Sequence, residues 1–269
     1  MKIGFIGGGN MAAALIGGLR KQGTPGSAIR VVERDAARRD ALAADFGVAI
    51  TGTPDRDLLD AAVLVLAVKP GQIREICEAL DAPAPGRLLV SIAAGIPSAS
   101  IARWARTESV VRAMPNTPAL IGEGITGAFA RDGVTAPQRD AATRILQAVG
   151  DAVWFGDEAM LDTVTAISGS GPAYVFYFLE ALQDAAQRMG MEAAQARHFA
   201  VRTFTGAARL AAQSPESLAT LRERVTSKGG TTAAALAQFA QSGLHESIVE
   251  GALAAQARSR ELARELPGS

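Results

Sequence analysis

At 269 residues the chain is long enough to bury a substantial core, as one large domain or two modest ones. Lys plus Arg and Asp plus Glu both number 27, so the formal charge is zero, no basic field exists to hold a polyanion, and neither nucleic acid nor an anionic membrane is expected as a partner. Hydrophobic residues make up 48%, and a lone cysteine, Cys77, excludes an intramolecular disulfide or a multi-cysteine metal site.

The chain opens on Met1-Lys2-Ile3-Gly4-Phe5-Ile6-Gly7, an apolar run too short for a signal peptide, and no stretch reaches the ~20 apolar residues of a membrane span. A cytoplasmic protein is expected. A predicted strand, Ile3–Ile6, leads directly into Gly7-Gly8-Gly9-Asn10-Met11-Ala12, and a helix is predicted over 11–22. A second strand, Ile29–Val32, ends at Glu33, at the distance expected of an acidic residue in a dinucleotide-binding unit. Gly7 permits the tight turn, Gly9 lets backbone N–H groups approach a pyrophosphate, and Ala12 permits close helix–strand packing, while Asn10 and Met11 open the helix. Glu33 suits a ribose 2′-hydroxyl and so NAD, whereas Arg34, Arg38 and Arg39 suit a 2′-phosphate and so NADP. The cofactor is therefore read as NADP or NAD.

Further strands are predicted over 63–68, 88–92, Val110–Met114 and Gly124–Ala130, and helices over 35–46, 72–80, 98–106 and 137–149. Cys77, in the helix over 72–80, reads as buried filler. This alternation predicts an α/β Rossmann domain with a doubly wound, mainly parallel sheet over 1–157. Ligands of such sheets bind beyond the carboxyl ends of the strands, where Ala67-Val68-Lys69-Pro70 and Met114-Pro115-Asn116-Thr117-Pro118 lie. Asn116 offers a donor and an acceptor to a carboxamide or sugar hydroxyl, and Lys69 reads either as a cofactor contact or as a solvated strand end.

After Trp154 only helical patterns remain, over 159–166, 172–189, 193–212, 215–225, 232–241 and 245–265, so an all-helical domain is expected over 158–269. Its punctuation includes Gly190 as a C-cap glycine and Ser214 as an N-cap before Pro215. The run Tyr174-Val175-Phe176-Tyr177-Phe178-Leu179 is apolar almost all the way round its helix, which predicts cover from another subunit. Ser168-Gly169-Ser170-Gly171-Pro172 reads either as a helix cap or as a substrate-side turn. His198 and His245 lack partners at ligand spacing and read as neither catalytic nor metal-binding.

The segment Val225-Thr226-Ser227-Lys228-Gly229-Gly230-Thr231-Thr232 opens a predicted helix with two glycines and several hydroxyls, a pattern suited to a small carboxylate. On this segment alone, a plain glycine turn with Thr231 or Thr232 as N-cap outweighs that reading.

Six motifs in this order, IGFIGGGNM from Ile3, AVKPG from Ala67, SIAAG from Ser91, RAMPNTPA from Arg112, SGSGPAYV from Ser168 and VTSKGGTT from Val225, resemble the pyrroline-5-carboxylate reductases nearly end to end. The resemblance implies a Rossmann domain followed by helices that interlock in a homodimer, which can assemble into a larger ring of dimers. It implies reduction of the imino acid 1-pyrroline-5-carboxylate to L-proline by NAD(P)H. By motif it places the substrate at Ser227, Gly230, Thr231 and Thr232, with Thr232 nearest the ring nitrogen and catalytic, and the cofactor at Gly7, Gly9, Asn10, Met11, Glu33, Arg34, Ala67, Val68, Lys69, Pro70 and Asn116. Lys228 departs from the family's usual proline, adding either a cationic substrate contact or a looser loop. Two alternatives stand beside it: a β-hydroxyacid dehydrogenase-like enzyme, which needs a lysine on the helical part, and a non-catalytic NAD(P) sensor, which needs no carboxylate loop.

Overall fold

The structure, a computed structural model, describes residues 1–80 and 86–265. Eight strands, β1 (Ile3–Ile6), β2 (Ile29–Val32), β3 (Ala49–Thr51), β4 (Val63–Leu66), β5 (Leu88–Ser91), β6 (Val110–Met114), β7 (Gly124–Ala130) and β8 (Gly150–Trp154), form one sheet in the order β3-β2-β1-β4-β5-β6-β7-β8. All neighbours are parallel except β6 and β7.

Six helices accompany the sheet: α1 (Asn10–Lys21), α2 (Ala36–Phe46), α3 (Arg56–Leu59), α4 (Ile73–Ala79), α5 (Ser98–Ala105) and α6 (Ala136–Leu146). The strands are apolar at consecutive positions because both faces are covered. In β4, Val63 and Val65 join Leu15, Ile16 and Ile145 in one core, while Leu64 and Leu66 join Leu58, Ile73 and Ile101 in the other. Helices α1, α2 and α6 thus lie on one face and α3, α4 and α5 on the opposite one, the doubly wound arrangement expected. Cys77 is fully buried in the second core, where desolvation and then the charge of Glu78 push its thiol up to about 12.

The sheet is larger than the sequence suggests. Strands β3 and β8 are both edge strands, short and half-exposed, so neither carries the continuous apolar run of a buried strand. Helix α3 is a single turn capped by Asp55, which accepts from the Leu58 amide at 2.9 Å. Strand β4 ends at Leu66, earlier than expected, which releases Ala67 and Val68 into the loop that faces the glycine turn.

The remaining chain forms α7 (Met160–Val164), a π-helical turn (Thr165–Gly169), α8 (Gly171–Arg188), α9 (Ala193–Gln213), α10 (Leu218–Arg224), α11 (Thr231–Gln241) and α12 (Leu244–Glu265). Two compact units result: Met1–Ser170 with the chain from Ala255 onward, and Gly171–Ala254. The strand pattern ends near 157, but α7 packs on β7, where the bare α-carbon of Gly127 leaves room for Val164 and Leu161. The end of α12 is tied to α7 by Ser259 donating to Asp162 (2.8 Å) and Gln256 donating to Thr163 (2.7 Å).

The N-cap expected at Ser214 lies instead at Ser217, whose hydroxyl accepts from the Thr220 amide at 3.1 Å. Ser214 holds the Glu216 amide (3.2 Å) in the turn before α10. In the second unit α8 buries no residue, and Phe176 and Tyr177 are 60% and 73% exposed. Among the described residues no helix is long and apolar enough to cross a membrane.

Candidate active site

The glycine turn between β1 and α1 is fixed by backbone geometry. Gly7 has φ +100°, and its amide donates to the Val32 carbonyl at 2.8 Å, joining the turn to β2. A Cβ there would lie 2.6 Å from the Ala67 carbonyl oxygen, so both conformation and space require glycine. Gly9 is the N-cap of α1, and a Cβ on it would meet only the Arg38 guanidinium, at 3.8 Å. Its outer side is open, and the first-turn amides of α1, beginning at Asn10 and Met11, have no partner within the helix. Ala12 is buried in the core beneath the turn.

A cavity of about 550 Å³ runs along this edge of the sheet, lined by Gly7, Gly9, Glu33, Arg34, Ala67, Val68 and Lys69 among others. The open glycine, the free helix N-terminus and a cleft of this size fit a dinucleotide. Most cofactor-side residues expected from sequence therefore converge, including Lys69, which lines the cleft. Pro70 lies just behind it, opening the short 3₁₀ turn Pro70–Gln72.

Glu33 plays a more constrained part than expected. Its Oε2 accepts from the Gly8 amide at 2.8 Å and its Oε1 from the Asp35 amide at 2.9 Å, so the carboxylate fastens the glycine turn to the end of β2. Arg39 donates to the carbonyls of Glu33 (3.0 Å) and Arg34 (2.7 Å), two residues that line the cleft. Asn116 likewise serves the fold. At 9% exposure it accepts through Oδ1 from the Ile125 amide at 3.0 Å, holding the start of β7. It does not line the cleft, and its Nδ2 makes no hydrogen bond among the described residues.

One group of residues has no signature in the sequence. Glu158 Oε1 accepts from the Ser98 amide (2.7 Å) and from Arg112 Nη1 (3.0 Å), and its Oε2 accepts from the Ser98 hydroxyl (2.6 Å). The Arg112 and Glu158 side chains are 8% and 22% exposed. The pair joins β6 and the N-terminus of α5 to the segment leading into the π turn, and no spacing rule links positions 98, 112 and 158. On that turn, Ser168 Oγ is buried without a hydrogen-bond partner among the described residues. Gly169 sits where a Cβ would be 2.6 Å from Met114 Cε at the end of β6. Such a buried unpaired hydroxyl is uncommon in a folded protein.

In the second unit the glycine loop opens α11 as expected, with Gly230 rather than a threonine as N-cap and no side-chain capping bond. The plain N-cap reading of Thr231 and Thr232 therefore fails. Among the described residues no hydrogen bond is made by the hydroxyls of Ser227, Thr231 or Thr232, whereas Thr226 donates to the Arg222 carbonyl. Gly229 at φ +73° makes the turn, and a Cβ on Gly230 would lie 2.8 Å from Ser227 Oγ. Lys228 is exposed at the tip. The loop thus presents three uncommitted hydroxyls at a helix N-terminus, hydrogen-bond donors of the kind a small carboxylate accepts from. His198 and His245 are both exposed.

The sequence model described as pyrroline-5-carboxylate reductase dimerisation matches residues 158–262, and that described as NADP oxidoreductase, coenzyme F420-dependent, matches residues 2–95. The pyrroline-5-carboxylate reductase of Pseudomonas aeruginosa is 47% identical, covering 98% of both chains. That of Haemophilus influenzae is 44% identical, covering 97% of both. The solved structure of a pyrroline-5-carboxylate reductase from Coxiella burnetii superposes with a TM-score of 0.92 at 39% identity, covering 97% of this chain and 98% of that one.

Proposed function

From the premise that the chain belongs to the pyrroline-5-carboxylate reductase family, we propose that it reduces 1-pyrroline-5-carboxylate to L-proline with NAD(P)H, the last step of proline biosynthesis. The observation that carries this reading is that the chain holds both a cleft fit for a dinucleotide and a separate loop of uncommitted hydroxyls and amides.

A bound reduced nicotinamide would supply the hydride for the imine carbon, and with one proton at the ring nitrogen the imine becomes the amine. The protein contributes mainly positioning. Gly7, Gly9, Asn10 and Met11 present backbone amides to the pyrophosphate, with Glu33, Arg34, Ala67, Val68, Lys69 and Pro70 shaping the cleft and Asn116 offering its Nδ2. Ser227, Gly230 and Thr231 hold the carboxylate. Thr232 bonds the ring nitrogen and is the catalytic hydroxyl, orienting the imine and passing the proton. Lys228 lies in an exposed loop rather than on a helix, which speaks against a dehydrogenase that needs a helical lysine.

Mixing the protein with 1-pyrroline-5-carboxylate and either reduced cofactor should consume the nicotinamide absorbance, and no oxidation with either overturns the proposal. Thr232→Val, which replaces the hydroxyl with a methyl group, should lower kcat/KM about 10²-fold and leave cofactor affinity unchanged. Activity within about twofold of the parent would remove Thr232 from the mechanism.

The functional division we propose is cofactor binding over 1–157, and dimerisation with substrate binding over 158–269. The uncovered apolar faces of α8 to α12 support a homodimer built through these helices, with a ring of dimers as the larger form. We place the reaction in the cytoplasm. Phe176→Glu puts a charge on the most aromatic of these faces, and light scattering should show a monomer where the parent is an oligomer.

A further inference from the structure

We propose that a second cavity, formed by helices α4 and α5, binds a pyrophosphate group. It has a volume of about 510 Å³ and is lined by Arg74, Glu78, Arg103, Trp104 and Arg106. Glu75, Ile76 and Ala79 of α4 line the dinucleotide cleft instead, so the two cavities lie on different sides of one helix and share no lining residue. Three guanidiniums meet here against one carboxylate. Arg74 lies over the Trp104 ring, 6.0 Å from its centroid, and donates through Nε to Glu78 Oε1 at 2.8 Å. Those contacts orient the guanidinium, and its Nη groups make no hydrogen bond among the described residues. Trp104 is 8% exposed and packs in the core beneath, so it forms the floor of the cavity.

Arg106 carries a separate signal. It caps the C-terminus of α5 at φ 53°, where its own amide and that of Thr107 both donate to the Ala102 carbonyl. Among the described residues it is the only one other than glycine with a positive φ. Glycine takes that place without strain, as Gly47 does at the end of α2. A cation is favoured anywhere in the last turn of a helix, where Arg103 already stands, so the helix end does not account for an arginine in the left-handed position. The side chain reaches the end of α4, where Nη2 donates to the Leu80 carbonyl at 3.3 Å. Planar guanidiniums from two helices suit an anion with several oxygens spread along it, which a pyrophosphate group presents and a single carboxylate does not. The group can be free or part of a nucleoside triphosphate.

The test is titration calorimetry with inorganic pyrophosphate, run with reduced cofactor in excess so that the glycine turn of the cleft is not open to the probe. The parent should bind pyrophosphate with a Kd below about 1 mM. Arg103→Gln and Arg106→Gly should each weaken it at least about fivefold. Arg106→Gly suits the left-handed cap, so its Tm should not fall, and a purely structural role for Arg106 predicts unchanged pyrophosphate affinity. A second titration with ATP separates the two sources: tighter binding than pyrophosphate marks a nucleotide as the ligand, and equal or weaker binding marks free pyrophosphate. Absence of pyrophosphate binding at millimolar concentration overturns the proposal, as does parental affinity in either variant.

Discussion

Gly7→Ala should weaken NAD(P)H binding by about 100-fold, equivalent to roughly 2.7 kcal/mol. At φ +100° an alanine is strained by about 1–3 kcal/mol, and its methyl would sit 2.6 Å from the Ala67 carbonyl oxygen and 2.9 Å from Val68 Cγ1. The obstacle is backbone, so the turn has to move, and it carries the amides that face the pyrophosphate. Gly9→Ala makes the informative control, because nothing but the Arg38 guanidinium approaches that position. It should leave thermal stability unchanged while still weakening the cofactor, since the space its methyl fills belongs to the ligand. Fluorescence titration beside a thermal melt separates the two effects. Parental affinity in Gly7→Ala would show that the turn does not hold the dinucleotide.

Glu158→Ala should destabilise the first unit by about 3 kcal/mol. The substitution removes the acceptor of three hydrogen bonds at once and leaves Arg112, 8% exposed, as an unpaired charge inside the fold. For a unit of this size such a loss corresponds to a drop in Tm of roughly 6–12 °C. Glu158→Gln, which keeps the shape and an oxygen acceptor, should lose less. A calorimetric Tm within about 2 °C of the parent for Glu158→Ala would show that the network is replaced by water, at roughly no net cost. Because Glu158 precedes the π turn that carries Ser168, the same variant should also lower kcat more than it raises KM, through a misplaced turn.

Local backbone demands were the legible part of this chain. Glycines at 7 and 9 after an apolar strand, proline at 115 directly after β6, and hydroxyls and glycines at the start of α11 each state a conformational requirement within a few residues. Fully buried strands announced themselves for the same reason, since β4 is apolar at every position. The edge strands β3 and β8 did not, because a half-exposed strand of three to five residues has no distinctive pattern. Helix α10 began later than its proline suggested because Ser217, not Ser214, found the free amide.

Side-chain partnerships over long separations were not legible, and they decide the finer chemistry. Glu33 meets Gly8 across 25 residues and Ser98 meets Glu158 across 60, distances at which spacing carries no signal. The sequence by itself determined the doubly wound sheet, the dinucleotide turn and the hydroxyl loop, since all three are written in residue types that the local backbone requires. Only the tertiary structure decided which polar groups remain free for ligands. It engaged Arg39 and one face of Asn116, left Thr231 and Thr232 uncommitted, and fixed Glu33 as an immobile anion, because a buried polar group takes whichever partner the fold brings to it.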